Sequence, residues 1–311
     1  MDLQTKVDIR PSERMITYQD KILLLGSCFA DNIGEKFASY YFQTTVNPHG
    51  VLYNPASIAC ALTDSLYPIS DTHIIQHNGM WHSMKHHGSF SHPDQSELLR
   101  RCEESRGVLI SALREASTVI VTFGTAWVYE LGGEVVANCH KLPVHQFTRR
   151  CMTVDEIVNL WQPIVASMSD KHWIFTVSPI RHVKDGLHAN QLSKAILLQA
   201  IDQLASRLTA SLPHCLEYFP SYEIMLDELR DYRFYAEDMV HPSSVAVEYI
   251  WQRFVDTYMS VDTRNEMRTL HQFWRDRQHR FLHPESDQAK LFQVRLERRL
   301  LELQSHYTWL K

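Results

Sequence analysis

Lys21-Ile-Leu-Leu-Leu-Gly-Ser-Cys-Phe29 decides the fold. The run Ile22 to Leu25 reads as a strand stopped by Gly26, after which Phe29, Ile33, Phe37 and Tyr40 recur at helical spacing. Strand, glycine turn and helix within one short stretch is the opening of a parallel α/β sheet. Three later segments repeat the strand pattern. Thr118-Val-Ile-Val-Thr-Phe123 is β-branched and stopped by Gly124, as a strand buried on both faces would be; His172 to Val177 is cut by Ser178-Pro179; Cys215 to Phe219 follows. Gln43 to Val46 supplies one more strand. Helices are predicted over about 55–65, 93–117, 153–169, 190–212 and 242–259, and parallel neighbours need such crossovers. The alternation predicts a mostly parallel sheet covered on both faces, one α/β domain over 1–260. His77-Asn78-Gly79, within 72–83, and Gly132-Gly133, within 127–138, predict two small hairpins.

Residues 261–311 differ. They carry ten Lys/Arg against seven Asp/Glu, with Leu291, Val294, Leu296, Leu300, Leu301 and Leu303 in helical rhythm. This predicts a helical C-terminal extension packed on the main domain or on a second copy of the chain, the route to a homo-oligomer.

Composition narrows the function. With 44% hydrophobic and 22% charged residues among 311, the chain can bury a large core. A net charge of -5 offers no global attraction for nucleic acid, and apolar runs such as Ile22 to Leu25 are far too short to cross a bilayer. The first twenty residues, studded with Asp2, Lys6, Asp8, Arg10, Glu13 and Arg14, lack the apolar centre of a signal peptide, so a cytoplasmic chain is expected. Six scattered cysteines without a CxxC pair predict free thiols.

Ligands in an open parallel sheet collect beyond the carboxyl ends of its strands. Ser27 stands there, at the start of a helix, as either a nucleophile or a plain N-cap. Its neighbour Cys28 allows thiol chemistry but is read as packing into the first helical turn. Asp238-Met-Val-His241 places a carboxylate three residues before an imidazole, just ahead of a helix. In a triad Ser27 would attack, His241 would move its proton and Asp238 would hold the ring. Arg181 and His182, directly after a strand, are candidate substrate-binding residues; Arg181 would take an anionic group or pair with Asp227, Glu228 or Asp231. His82, His86, His87 and His92 raise a metal reading. The spacing of His82 and His86 joins two ligands only on a helix, and the segment reads as extended, so no metal is assigned and His82 is placed on a pocket wall.

The strings GSCFADNIG at 26–34, NPHGVLYNPASI at 47–58, GTAWVYE at 124–130, NCHK at 138–141, SPIRH at 178–182 and FPSYEIMLDELRDYRFYAEDMVHPS at 219–243 together resemble the GSCFA family, over roughly 18–258. That family belongs with the SGNH (GDSL-like) hydrolases. The resemblance implies a flavodoxin-like three-layer α/β/α fold, a serine esterase needing no cofactor, Ser27 as nucleophile, Gly50 as the second-block glycine and Asp238 and His241 as the final pair. It also implies an O-acyl ester substrate such as an acylated carbohydrate, and leaves acyl transfer or non-catalytic ligand binding as alternatives. The general SGNH pattern has asparagine where this chain has Ala126. The oxyanion hole is therefore expected from the Ser27 and Gly50 N–H groups with a third donor from Thr125, or else from Asn138 or His140.

Overall fold

A computed structural model describes residues 4–64, 73–209, 212 and 214–310. The opening segment forms β1 (Lys21–Gly26) and α1 (Cys28–Ser39), followed by β2 (Gln43–Val46) and α2 (Pro55–Asp64). A hairpin of β3 (Ile74–His77) and β4 (Met80–Ser83) precedes α3 (Gln95–Glu115) and β5 (Thr118–Phe123). Then come β6 (Trp127–Leu131), β7 (Glu134–Val136), β8 (Phe147–Cys151), α4 (Val154–Ser167), β9 (His172–Val177), α5 (Leu187–Thr209) and β10 (Leu216–Phe219). The chain closes with the short α6 (Ser221–Glu223), α7 (Ser244–Tyr258), α8 (Val261–Gln278) and α9 (Asp287–Gln304).

The central sheet has the order β10-β9-β5-β1-β2, and every neighbouring pair is parallel. In order along the chain its strands lie 2-1-3-4-5, the flavodoxin-like arrangement. Alternating side chains divide the core between its faces. Leu23, Leu25, Val119, Val121, Phe123, Trp173 and Phe175 meet α2, α4 and α5 on one side. Ile22, Leu24, Ile120, Ile174 and Phe219 meet α1 and α7 on the other. The result is a three-layer α/β/α fold.

Helix ends follow the expected chemistry. Thr153 and Glu156 form a reciprocal capping box on α4, and Asp94, Ser243, Ser260 and Ser286 cap α3, α7, α8 and α9 with their side chains. Predicted and observed helices agree within three residues among the described positions; position 65, Thr72 and positions 210–211 lie outside them. Asn78 (φ 49°) and Gly79 (φ 73°) make the expected tight turn between β3 and β4. The second hairpin is larger than its sequence suggested, because β8 pairs with the other edge of β6 to make three strands. Phe147-Thr-Arg-Arg-Cys151 lacks the apolar alternation that would mark a strand.

The C-terminal extension packs on the main domain. Met267, Leu270 and Phe273 of α8, with Leu310, join the same core as α1 and α7, and Trp309 Nε1 donates to the Tyr41 carbonyl at 3.2 Å. Leu291, Val294 and Leu301 of α9 are exposed. Among the described residues no helix is long and apolar enough to cross a membrane.

Candidate functional site at the sheet's carboxyl edge

The strand order reverses between β1 and β5, the place where ligands of such sheets bind. Gly26, Ser27 and Gly124 meet at this point. Gly26 has φ +133°, and a Cβ on it would lie 2.1 Å from the Thr122 carbonyl oxygen; only glycine allows β1 to turn this close to β5. Ser27 caps α1, accepting from the Phe29 N–H at 3.3 Å, and is 1% exposed.

The loop before α7 presents the carboxylate and imidazole. Asp238 Oδ1 accepts from the N–H groups of Val240 (2.9 Å) and His241 (3.0 Å), while Oδ2 lies 2.6 Å from His241 Nδ1. These contacts, led by the His241 backbone N–H, hold the Asp238 carboxyl down at about 2. Met239 takes a positive φ of 56° to complete the turn. His241 Nε2 reaches the Ser27–Cys28 corner, where Cys28 Sγ is 3.8 Å away. Cys28 therefore faces the imidazole instead of packing into the first turn of α1. Burial pushes its thiol up, away from the thiolate form.

Arg181 supports that loop. Its guanidinium donates to the Met239 carbonyl and lies over Tyr235 (4.3 Å) and Tyr232 (5.5 Å), while its backbone N–H donates to the Val240 carbonyl at 3.3 Å. The expected partners Asp227 and Asp231 pair with Arg230 and Arg233, and Glu228 pairs with Arg253. Arg181 thus clamps the Asp238–His241 segment.

His182 also lies near Ser27, beside Gly124. A Cβ built on Gly124 would lie 2.9 Å from the Tyr53 carbonyl oxygen, 3.3 Å from Ser27 Cβ and 3.5 Å from His182 Nε2, so serine and imidazole both pack beside this glycine. That Nε2 is buried and has no well-aligned partner among the described residues, although the Gly124 carbonyl is beside it. Burial first, then the neighbouring Lys194, pushes the ring down to about 4, so it is neutral near pH 7.

One polar face of α5 holds this edge together. Asn190 Oδ1 accepts from the His182 N–H at 2.9 Å, and Ser193 Oγ accepts from the Ala126 N–H at 2.8 Å. Lys194, fully buried, donates to the carbonyls of Gly124 (2.6 Å) and Ser178 (2.7 Å), tying the loop after β5 to the loop after β9. The sequence reading missed all three. The available signal was a lysine at a core position of a helix whose buried stripe continues through Leu197, Ile201, Leu204 and Leu208.

The backbone N–H groups expected as oxyanion donors have other partners. Ser27 N–H continues the ladder to the Thr122 carbonyl (3.1 Å), Gly50 N–H closes a turn onto the Asn47 carbonyl (2.7 Å), and Thr125 N–H donates to the Tyr53 carbonyl (3.0 Å). Thr125 Oγ1 is 3.1 Å from Ser193 Oγ and accepts from the Trp127 N–H. Asn138 Oδ1 accepts from the His140 N–H at 2.8 Å, and His140 Nε2 is 2.8 Å from the Ser83 carbonyl.

His82 and His140 belong to a separate buried group. Their rings lie 4.8 Å apart, His49 stacks on His86 at 4.4 Å, and burial lowers the pKa of all four. His82 sits on β4, as the extended reading required, with Nδ1 2.7 Å from Ser91 Oγ. This group adjoins the loop of Gly50, against which His87 packs so closely that a Cβ there would lie 2.4 Å from His87 Cβ.

The fold is that of a three-layer α/β/α protein whose candidate residues lie at the sheet's carboxyl edge. The chain belongs to the GSCFA family, whose model matches residues 21–254. No curated protein matches it.

Proposed function

We propose that this chain is a serine esterase of the SGNH type, cleaving an O-acyl ester through an acyl-enzyme on Ser27. The observation that carries the reading is the Asp238–His241 pair. The carboxylate is fixed by two backbone N–H groups, it holds Nδ1 at 2.6 Å, and Nε2 lies 3.8 Å from Sγ of Cys28, the residue next to Ser27. In this reaction Ser27 Oγ bonds to the acyl carbon while its proton passes to His241 Nε2. The tetrahedral intermediate collapses, the ester C–O bond breaks, and His241 returns the proton to the leaving alcohol. Water then repeats the sequence to release the acid. Asp238 keeps the ring in the productive tautomer and stabilises the imidazolium. A short acyl group on a carbohydrate is the proposed substrate class, and an added alcohol or sugar acceptor distinguishes transfer from hydrolysis by its acylated product.

A fluorophosphonate probe tests the nucleophile: it should label wild type and leave Ser27→Ala unlabelled. Labelling that is absent in folded wild type, or unchanged in Ser27→Ala, defeats the reading. The 3.8 Å contact of Cys28 with His241 favours a second reading, a thiol nucleophile. The raised thiol pKa opposes it. Under that reading Cys28→Ala would abolish ester turnover and iodoacetamide would inactivate wild type in step with alkylation.

A further inference from the structure

We infer that His182 supplies the side-chain hydrogen bond to the acyl oxygen that Ala126 cannot. The inference rests on the Ser27 esterase reading and deepens it.

Three observations meet at one place. First, the chain needs such a donor. The N–H groups of Ser27, Gly50 and Thr125 are engaged within the protein, and Ala126 has only a methyl group where SGNH hydrolases carry an amide. Second, His182 Nε2 and Ser27 Cβ both pack beside Gly124: a Cβ built there would meet them at 3.5 Å and 3.3 Å, with the Tyr53 carbonyl oxygen at 2.9 Å. Third, Nε2 is buried without a well-aligned partner among the described residues, and burying such a group unpaired costs about 1–3 kcal/mol unless something else requires it.

The surrounding groups fix the ring's chemistry. The Gly124 carbonyl beside Nε2 favours the tautomer with its proton on that nitrogen, while Lys194 Nζ, 2.6 Å from the same oxygen, takes the better-aligned bond. A carbonyl already accepting from Lys194 is a weak partner for this N–H, which leaves it available to a stronger acceptor such as a developing oxyanion. The charged groups acting on the ring are Lys194, Asp185 and His241, and burial outweighs each of them in favour of the neutral form. A neutral imidazole donates without releasing its proton. As Ser27 Oγ bonds to the acyl carbon, the carbonyl electron pair moves onto oxygen, Ser27's proton goes to His241, and His182 Nε2–H strengthens its hydrogen bond to that oxygen. No proton leaves His182 in the cycle. The two histidines thus divide the work: His241 exchanges protons, and His182 stabilises charge.

The test compares His182→Gln, which keeps an N–H donor, with His182→Met, which has similar length and none. Hydrolysis of 4-nitrophenyl acetate and fluorophosphonate labelling of Ser27 are both followed. His182→Met should lower kcat by about 10²–10³ with KM within about threefold, slow labelling in parallel, and leave at least tenfold of the loss recoverable in His182→Gln. A kcat for His182→Met within about threefold of wild type overturns the inference, as does an equal loss in both variants or a loss carried in KM alone. If wild type itself neither hydrolyses the ester nor labels at Ser27, the esterase reading fails and the inference falls with it.

Discussion

Lys194→Met removes the buried ammonium that ties the loops after β5 and β9, and its consequence depends on pH. Lys194 is fully buried, and desolvation pushes its pKa from the ordinary 10.5 down to about 7. A folded pKa below the unfolded one means that the unfolded chain binds more protons across the intervening window. Stability therefore rises with pH, is complete above the unfolded pKa and is lost as pH falls through the folded value. The slope is about 1.4 kcal/mol per pH unit, up to about 5 kcal/mol over the full window. The Gly124 and Ser178 carbonyls at 2.6 and 2.7 Å favour the ammonium and narrow the window from below without changing its sign. Methionine has no such slope, but it leaves two buried acceptors without their donor, a loss of about 1–3 kcal/mol each. Urea unfolding of both proteins at pH 7.5, 8.5 and 9.5, taken as the difference at each pH, isolates the residue. Wild type should gain on the variant by about 1–3 kcal/mol across that range. Parallel stability curves would refute the buried-cation argument.

Other substitutions probe the remaining parts of the site. Asp238→Asn places an amide against His241 Nδ1 and selects the wrong tautomer, so ester turnover should fall by about 10²–10⁴ while folding, followed by circular dichroism, persists. Because the Asp238 carboxyl is held at about 2, its contribution to stability is present above the ordinary 3.8 and lost only as pH falls through about 2. An acid titration should accordingly show no loss from this residue at pH 5. Arg181→Met frees the Met239 carbonyl and loosens the His241 loop; kcat should drop about tenfold or more, with proteolysis in 236–243 accelerated, and an unchanged kcat would remove the clamp from the account. Gly26→Ala drives a methyl into the Thr122 carbonyl at a positive φ and should destabilise the chain by more than about 3 kcal/mol in denaturant unfolding.

Much of the architecture is local information. Ile22 to Leu25, Thr118 to Phe123 and His172 to Val177 are apolar because they are buried on both faces, and their glycine or proline stops mark the edge where the site lies. Asp238 and His241 are three residues apart, so one turn suffices to join them and the sequence could pair them. β8 was not legible because its charged residues answer to pairing with β6, a long-range contact. Arg181 was open to several partners because the carboxylates near it in the reading, Asp227, Glu228 and Asp231, have competitors that only packing ranks.

The sequence by itself determined the α/β class, the strands with their glycine and proline stops, and the pairing of Asp238 with His241, because strand burial, turn residues and short-range spacing are written in local order. Tertiary structure alone decided that His182 packs beside Gly124 and His241 against Cys28, which backbone N–H groups are already engaged, and that Lys194 joins the loops after β5 and β9. Those properties depend on the parallel register of β1, β5 and β9 and on the face that α5 turns toward their loops. Contacts between segments so far apart in the chain are set by how the layers pack, and no local pattern encodes them.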